Sequence, residues 1–258
     1  MSDYLALAVE WNGSAGSFLK SEQLPRLAKK ALATMGFDLD AMGIQIVHSK
    51  QRPGGAAYGV SIPDDVRFTG HFPDGFEGAR GYFHELGHAV HMKSIKPRFL
   101  PMRMLPQNIA FSEGIGEIFT LPVQNSAWLA SELPGVTTEQ LEGLAQAMAA
   151  FRAVAVRYNC LHALTELALF ESVSFKDAFT RAMSRTFDDP EAPVVYVLAV
   201  YLDTPLLSMA YVHALNLKYE FERRLEPRAF LSPEGGAFLR QTLLEPGNSL
   251  SLDDWARR

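Results

Sequence analysis

The chain has a single cysteine, Cys160, among its 258 residues. One thiol excludes an intrachain disulfide framework and a zinc cluster built from several thiolates. Positive charge is also scarce, because 24 Lys and Arg stand against 29 Asp and Glu and give a formal net charge of −5. The sequence therefore offers no basic surface for nucleic acid, and we expect no nucleic-acid partner.

Long uncharged apolar runs are missing too, although 48% of the residues are hydrophobic. Residues 1–4 lack the basic start, followed by an apolar core, that a secretion signal requires. We therefore predict a cytoplasmic protein with no membrane partner. No internal repeat or low-complexity linker divides the chain, so we predict one compact domain over residues 1–258.

The most informative stretch is residues 81–91, which read Gly-Tyr-Phe-His-Glu-Leu-Gly-His-Ala-Val-His. His84 and His88 are four positions apart, the spacing that places two side chains on one face of a helix. Two neutral imidazole nitrogens at one point can hold a zinc ion, and Glu85 would lie beside its open coordination position. A carboxylate there can take the proton from metal-bound water. Gly87 would let another backbone pass close to the metal.

Two carboxylates follow on a second helical segment. Glu113 and Glu117 are themselves four positions apart, so one can bind a metal while the other orients a histidine. A zinc site with two histidines from one helix needs a third protein ligand, and a glutamate from the next helix is one known solution. His91, on roughly the same face as His84, is a substitute ligand, but we expect it to support the ligands or to pack. The pattern favours one zinc per chain over two histidines that are merely hydrogen-bonded.

These residues resemble the thimet oligopeptidase family of zinc peptidases and its angiotensin-converting-enzyme relatives. The likeness covers residues 79–122, and residues 113–117 are similar to a Glu-Ala-Ile-Gly-Asp stretch of those relatives. The resemblance implies three zinc ligands: His84, His88 and Glu113. It implies Glu85 as the catalytic base and Glu117 as a partner of the ligands. The expected fold class is mainly α, a helical zincin-like catalytic domain with a small antiparallel β-sheet or hairpin before the zinc helix.

Hydrophobic periodicity predicts helices at about residues 21–35, 79–94, 112–121, 137–169, 174–185 and 194–225, the last with a break near 203–205. A short strand at 44–47 and a hairpin at 57–70 precede the zinc helix. Ser112 is expected to cap the second metal helix, and residues 232–236 to form a turn. The exposed hairpin edge can bind an extended peptide as an added strand, which makes it a candidate docking site for substrate. The alternative is a stabilising hairpin with no ligand.

A zinc peptidase also needs a group that stabilises the developing oxyanion, usually a tyrosine or histidine. The late helix offers four candidates: Tyr196, Tyr201, Tyr211 and His213. Residues 201–249 resemble the tyrosine-bearing helix and tail of the thimet oligopeptidases, and counting back from the tail places Tyr211 at a catalytic-tyrosine position. Residues 207–209, Leu-Ser-Met, depart from the aromatics expected there. Each tyrosine can alternatively be a core aromatic with a polar tip.

The chain is shorter than members of that family, which carry an extra helical half that roofs a deep channel. The chain looks like the catalytic half alone, so either the site is open, or a second subunit supplies the roof, or the substrate is special. The late helix is rich in apolar side chains, and large uncovered apolar patches are rare on monomers. We therefore expect a homodimer, or a separate subunit that supplies the roof.

Three functions fit the sequence. The leading hypothesis is a zinc-dependent metallopeptidase that hydrolyses peptide bonds in short peptides, with Glu85 as general base. The alternative is a non-catalytic peptide- or partner-binding protein on a zinc-organised peptidase fold. The intact Glu85 counts against that alternative, and the poorly matched tyrosine helix counts for it. A zinc hydrolase acting on a non-peptide amide is the third.

Overall fold

Helices dominate the residues that the computed structural model describes, which are 16–48, 54–96, 109–171, 174–186, 207–225 and 230–246. The helices are α1 (Leu24–Thr34), α2 (Leu39–Met42), α3 (Phe76–Ser94), α4 (Ile109–Phe119), α5 (Ser126–Glu132), α6 (Thr138–Phe170), α7 (Phe175–Thr186), α8 (Leu207–Arg224) and α9 (Pro233–Leu239). The strands are β1 (Gln45–His48), β2 (Gly54–Ser61) and β3 (Asp65–His71). This architecture confirms the mainly α class with a small sheet before the zinc helix. Within these ranges, no helix is long and apolar enough to cross a membrane.

The three strands form one sheet in the order β1-β3-β2. β2 and β3 pair antiparallel, as the hairpin prediction required, and Ala57 lies opposite Phe68. β1 adds to β3 in parallel, so the sheet is mixed rather than purely antiparallel. Burial alternates along β3, where Val66 and Phe68 are buried and Arg67 is exposed. One face of the sheet is therefore covered by helix, and β2 forms an edge of the sheet beside it.

The helix predicted to carry two zinc ligands, α3, begins at Phe76, three residues before the predicted start. Gly75 precedes it with φ of +105°, a conformation that favours glycine. Tyr82 packs edge-on against Phe68 of the sheet, with ring centroids 5.0 Å apart. On its other side, α3 packs against α4 through Gly87, where an added Cβ would lie 2.8 Å from Cβ of Phe119. The close neighbour of Gly87 is thus a side chain of α4 rather than the predicted backbone.

The second metal helix, α4, lies between α3 and α8. Gly114 faces α8, where an added Cβ would lie 2.6 Å from Leu217, and Phe111 and Ile115 are fully buried. The predicted capping role of Ser112 is wrong, because α4 begins at Ile109 and Ser112 lies inside it. Burial of Phe111 draws the residues before Ser112 into the helix.

The last described elements are α9 and a π-helical turn, Arg240–Leu244. Ser232 accepts a hydrogen bond from the Gly235 amide at 3.0 Å and Pro233 occupies the first helical turn, so this Ser-Pro pair opens a helix. The turn predicted over residues 232–236 is therefore wrong. Gly236 meets the end of α1 so closely that a Cβ there would lie 1.8 Å from the carbonyl oxygen of Met35.

Candidate metal centre

Two histidines one turn apart on α3 converge on a single point. The Nε2 atoms of His84 and His88 are 3.1 Å apart, and the two rings meet edge to face with centroids 4.8 Å apart. Both side chains are almost fully buried, with 12% and 10% exposure. The i, i+4 spacing on an uninterrupted helix produces this convergence.

The third donor comes from α4. Glu113 places Oε2 3.1 Å from His84 Nε2 and Oε1 3.7 Å from His88 Nε2. One donor atom from each of His84, His88 and Glu113 lies within 4.8 Å of the others. Two ligand atoms bound tetrahedrally to zinc at ordinary lengths are separated by roughly 3.3 Å. The donor set of two imidazoles and one carboxylate, at these separations, fits a zinc ion.

The far nitrogen of each histidine lies near a side-chain oxygen. His88 Nδ1 lies 3.2 Å from the Ser112 hydroxyl, and His84 Nδ1 lies 3.3 Å from Oε1 of Glu117. A partner at Nδ1 fixes the ring orientation and leaves Nε2 for a metal. Ser112 was missed as a site residue because the sequence suggested a helix cap there. Its position directly before Glu113 is the one signal that could have revealed it.

Gly116 of α4 lies against His84, at the point where α3 and α4 cross. A Cβ at this position would lie 2.7 Å from Cε1 of His84 and 2.9 Å from both ring nitrogens. Ordinary carbon contacts are about 3.5–4.0 Å, so only glycine lets α4 approach the histidine this closely.

Glu117 is buried within a group of cations. Arg80 donates to Oε1 at 2.7 Å, and Nζ of Lys218 on α8 lies 3.6 Å from Oε2. Burial alone would raise the pKa of Glu117, but His84, Arg80 and Lys218 outweigh it and hold the pKa well below its usual value. Glu117 is therefore an ionised carboxylate that faces His84.

The pKa values of His84 and His88 shift in opposite directions. Burial would lower the pKa of His84, but the carboxylates of Glu113 and Glu117 outweigh burial and raise it. Burial and the neighbouring His84 lower the pKa of His88. The field that favours a proton at His84 equally favours a divalent cation between the two rings.

Glu85 lies next in sequence to His84 and points toward β2. A Cβ at Gly55 of that strand would lie 2.9 Å from Glu85 Cγ. Burial is the main cause that raises the pKa of Glu85, and the charge of Glu113 adds to it. The charge of His84 and a hydrogen bond from the Ala57 backbone oppose this rise in pKa. A carboxylate with a raised pKa beside the cluster has the character of a general base.

His91 is buried away from the three donors. It is 1% exposed, and its ring centroid is 6.0 Å from that of Phe111 on α4. Burial, with the neighbouring His88, lowers the pKa of His91 to about 3, so the ring is neutral. The structure gives His91 a packing environment between α3 and α4.

The structure describes only some of the residues predicted to stabilise the oxyanion. Tyr201 lies outside the described residues, as does Tyr196, and Tyr211 is on α8 with its side chain outside them. His213 is exposed, whereas Leu217 and Phe221 of the same helix are buried. Lys218, which the sequence did not suggest, is the residue of α8 that reaches the buried charges around Glu117.

Comparison with solved structures finds carboxypeptidases. Pyrococcus furiosus carboxypeptidase matches with a TM-score of 0.59 and 16% identity over 93% of this chain and 57% of that one. The chain shares its fold with part of that protein. An M32 carboxypeptidase from Deinococcus radiodurans R1 matches with a TM-score of 0.59 and 13% identity over 100% of this chain and 62% of that one.

The chain spans less than two thirds of the length of these carboxypeptidases. No protein-family profile and no curated protein sequence matches it. The likeness therefore concerns the fold.

Proposed function

We propose that the chain is a zinc-dependent peptidase that hydrolyses peptide bonds in short peptides, with His84, His88 and Glu113 as the metal ligands. One observation carries the proposal: the two Nε2 atoms and a Glu113 oxygen converge within 4.8 Å, while an oxygen of Ser112 or Glu117 lies 3.2–3.3 Å from each Nδ1 atom. A zinc ion at this point would supply Lewis-acid activation of water and of the substrate carbonyl.

Glu85 is the proposed general base. It follows a ligand on the same helix, it is half-buried, and its pKa is raised mainly by burial. It takes a proton from the attacking water and delivers that proton to the leaving amine. A pure binding protein has no use for a base in this place, which disfavours the non-catalytic alternative.

The edge of β2 is the proposed docking site for substrate. Among the described strands β2 pairs with β3 alone, and the Ala57 backbone reaches Glu85. An extended peptide that adds to this edge would pass directly beside the base. Residues 54–57, Gly-Gly-Ala-Ala, add no bulky side chain of their own to this part of the edge.

The oxyanion donor is proposed to come from the last third of the chain. Tyr211 is the first candidate, from the resemblance to the thimet oligopeptidases, and His213 and Tyr201 are the others. A hydroxyl or imidazole that donates to the developing charge contributes about 10²–10³-fold to turnover. Separate Tyr211→Phe, His213→Ala and Tyr201→Phe variants assign the role to the one whose turnover falls by that amount.

The decisive experiment compares Glu85→Gln with the parent on a mixed peptide library, with both proteins loaded with zinc. The amide cannot accept the water proton, so turnover should fall about 10²–10⁴-fold at unchanged zinc content. Glu139→Gln, an exposed glutamate on α6, is the matched control and should retain full activity. Near-parental turnover in Glu85→Gln would refute the base assignment.

The products of the same digest define the mode of cleavage. The carboxypeptidase fold predicts release of single C-terminal residues, and the resemblance to oligopeptidases predicts internal cleavage. Mass spectrometry of the fragments distinguishes the two. A zinc-loaded parent protein that binds peptides without cleaving any would favour the binding-protein alternative.

A further inference from the structure

A buried lysine lies beyond the metal centre. Lys218 of α8 has 8% of its side chain exposed, and Nζ donates to Oγ1 of Thr120 at 3.1 Å while facing Oε2 of Glu117 at 3.6 Å. A buried ammonium is costly unless it is paired and hydrogen-bonded. The carboxylate that Lys218 faces, Glu117, also lies against His84.

A second cation approaches the same carboxylate from α3. Arg80 donates to Oε1 of Glu117 at 2.7 Å, pairs with Glu77 at 3.4 Å, and lies over the Phe151 ring at 5.2 Å. The carboxylate is thereby held from two sides by groups on two different helices. Its position therefore depends on cations from α3 and α8.

The link to the metal centre is Oε1 of Glu117. This oxygen accepts from Arg80 and lies 3.3 Å from His84 Nδ1. An ionised acceptor at Nδ1 keeps the proton on that nitrogen, which leaves the Nε2 lone pair to the metal. Arg80 and Lys218 also offset the negative charge of Glu117.

We propose that Arg80 and Lys218 are positioning residues for the metal centre, which fix Glu117 against His84 and so set the affinity for the metal. The proposal rests on the metal site proposed above. A purely structural role is the competing explanation, in which the buried charges only join α3, α4 and α8. That role would change the free energy of unfolding without coupling to the metal.

The test is a double-mutant cycle on the zinc affinity of the purified chain, measured by competition with a chelator. Lys218→Met and Glu117→Gln should each weaken zinc binding about 10- to 100-fold, the usual cost of losing a ligand's partner. Because both act through one carboxylate, the double variant should bind no more weakly than Glu117→Gln alone. Lys218→Arg keeps the cation and should retain most of the affinity.

Arg152→Met is the matched control. Arg152 lines the same cavity of about 180 Å³ as Arg80 and Lys218, but it pairs with Gln124 and Glu222. Its replacement should leave zinc affinity unchanged. Circular dichroism and melting of the zinc-free proteins identify variants that do not fold, and Arg80→Gln tests the same carboxylate if Lys218→Met is one of them.

Two results would overturn the proposal. One is parental zinc affinity in folded Lys218→Met and Arg80→Gln, and the other is an effect of Lys218→Met that persists in full in the Glu117→Gln background. His88→Ala separates these results from a failure of the metal site. If that variant binds zinc as tightly as the parent, the site proposal and this proposal are both refuted.

Discussion

Replacing Gly116 by alanine should damage the metal centre while leaving the helix intact. Gly116 lies on α4 directly against the imidazole of His84. Alanine is the better helix former by roughly 1 kcal/mol, so helix propensity alone predicts a gain in stability. The structure predicts a loss of function instead, because the new methyl group occupies space that the ring needs.

The size of the clash can be worked out from the contacts. A Cβ at Gly116 would lie 2.7 Å from Cε1 of His84, and ordinary carbon contacts begin near 3.5 Å, so one group must move by about 0.8 Å. Metal–ligand distances tolerate only about 0.2 Å. The imidazole is the end of a side chain and moves more easily than the helix. Zinc affinity should therefore fall at least about 10-fold, while the free energy of unfolding of the zinc-free protein changes by about 1 kcal/mol or less.

The assay is zinc affinity by chelator competition, together with urea unfolding of the zinc-free protein. Gly143→Ala is the control, since Gly143 is exposed on α6 and an added Cβ there meets nothing within 4 Å. That variant should gain up to about 1 kcal/mol and bind zinc normally. Parental zinc affinity in Gly116→Ala would show that the His84 position is not set by this contact.

Three further results are expected. Zinc at a hundred times its Kd should stabilise the chain by about 2.7 kcal/mol, a rise in Tm of roughly 5–10 °C that a chelator reverses and that His88→Ala lacks. Gly236→Ala should lower the free energy of unfolding in urea by about 1–3 kcal/mol, because the Met35 carbonyl oxygen stands in the way; an unchanged midpoint would contradict the packing of α9 on α1. We also propose a homodimer, supported by Tyr58 and Val60 of β2, which are 54% and 61% exposed. Light scattering should show twice the chain mass, and a monomer that cleaves peptides would contradict it.

Local signals in the sequence were enough to predict the main helices and the hairpin. The spacing of apolar residues located α3 to within three residues at its start, and the predicted hairpin at 57–70 located the β2–β3 pair. These features depend on neighbours in the chain, and hydrophobic periodicity is most reliable for such long, regular segments. The convergence of His84 and His88 follows from the same local geometry.

Contacts between distant helices were not predictable in the same way. Lys218 meets Thr120 across 98 residues, and Arg80 meets Glu117 across 37, with no local pattern that marks either contact. A lysine in a helix is ordinarily a solvated side chain, so burial of Lys218 becomes visible only when α4 and α8 are placed side by side. Ser112 was misjudged for a related reason, since its role depends on where His88 lies.

The crossing of α3 and α4 ties the metal centre to the core of the protein. Gly87 of α3 meets Phe119 of α4, and Gly116 of α4 meets His84 of α3, so each helix presents a glycine where the other is bulky. These two close contacts, one of which involves His84 itself, therefore set the distance between α3 and α4. Glu113 is carried on α4, and its oxygens reach His84 and His88 only at that distance. Interior packing is dense enough to transmit a shift of less than 1 Å, so the same contacts that stabilise the crossing also fix the ligand geometry.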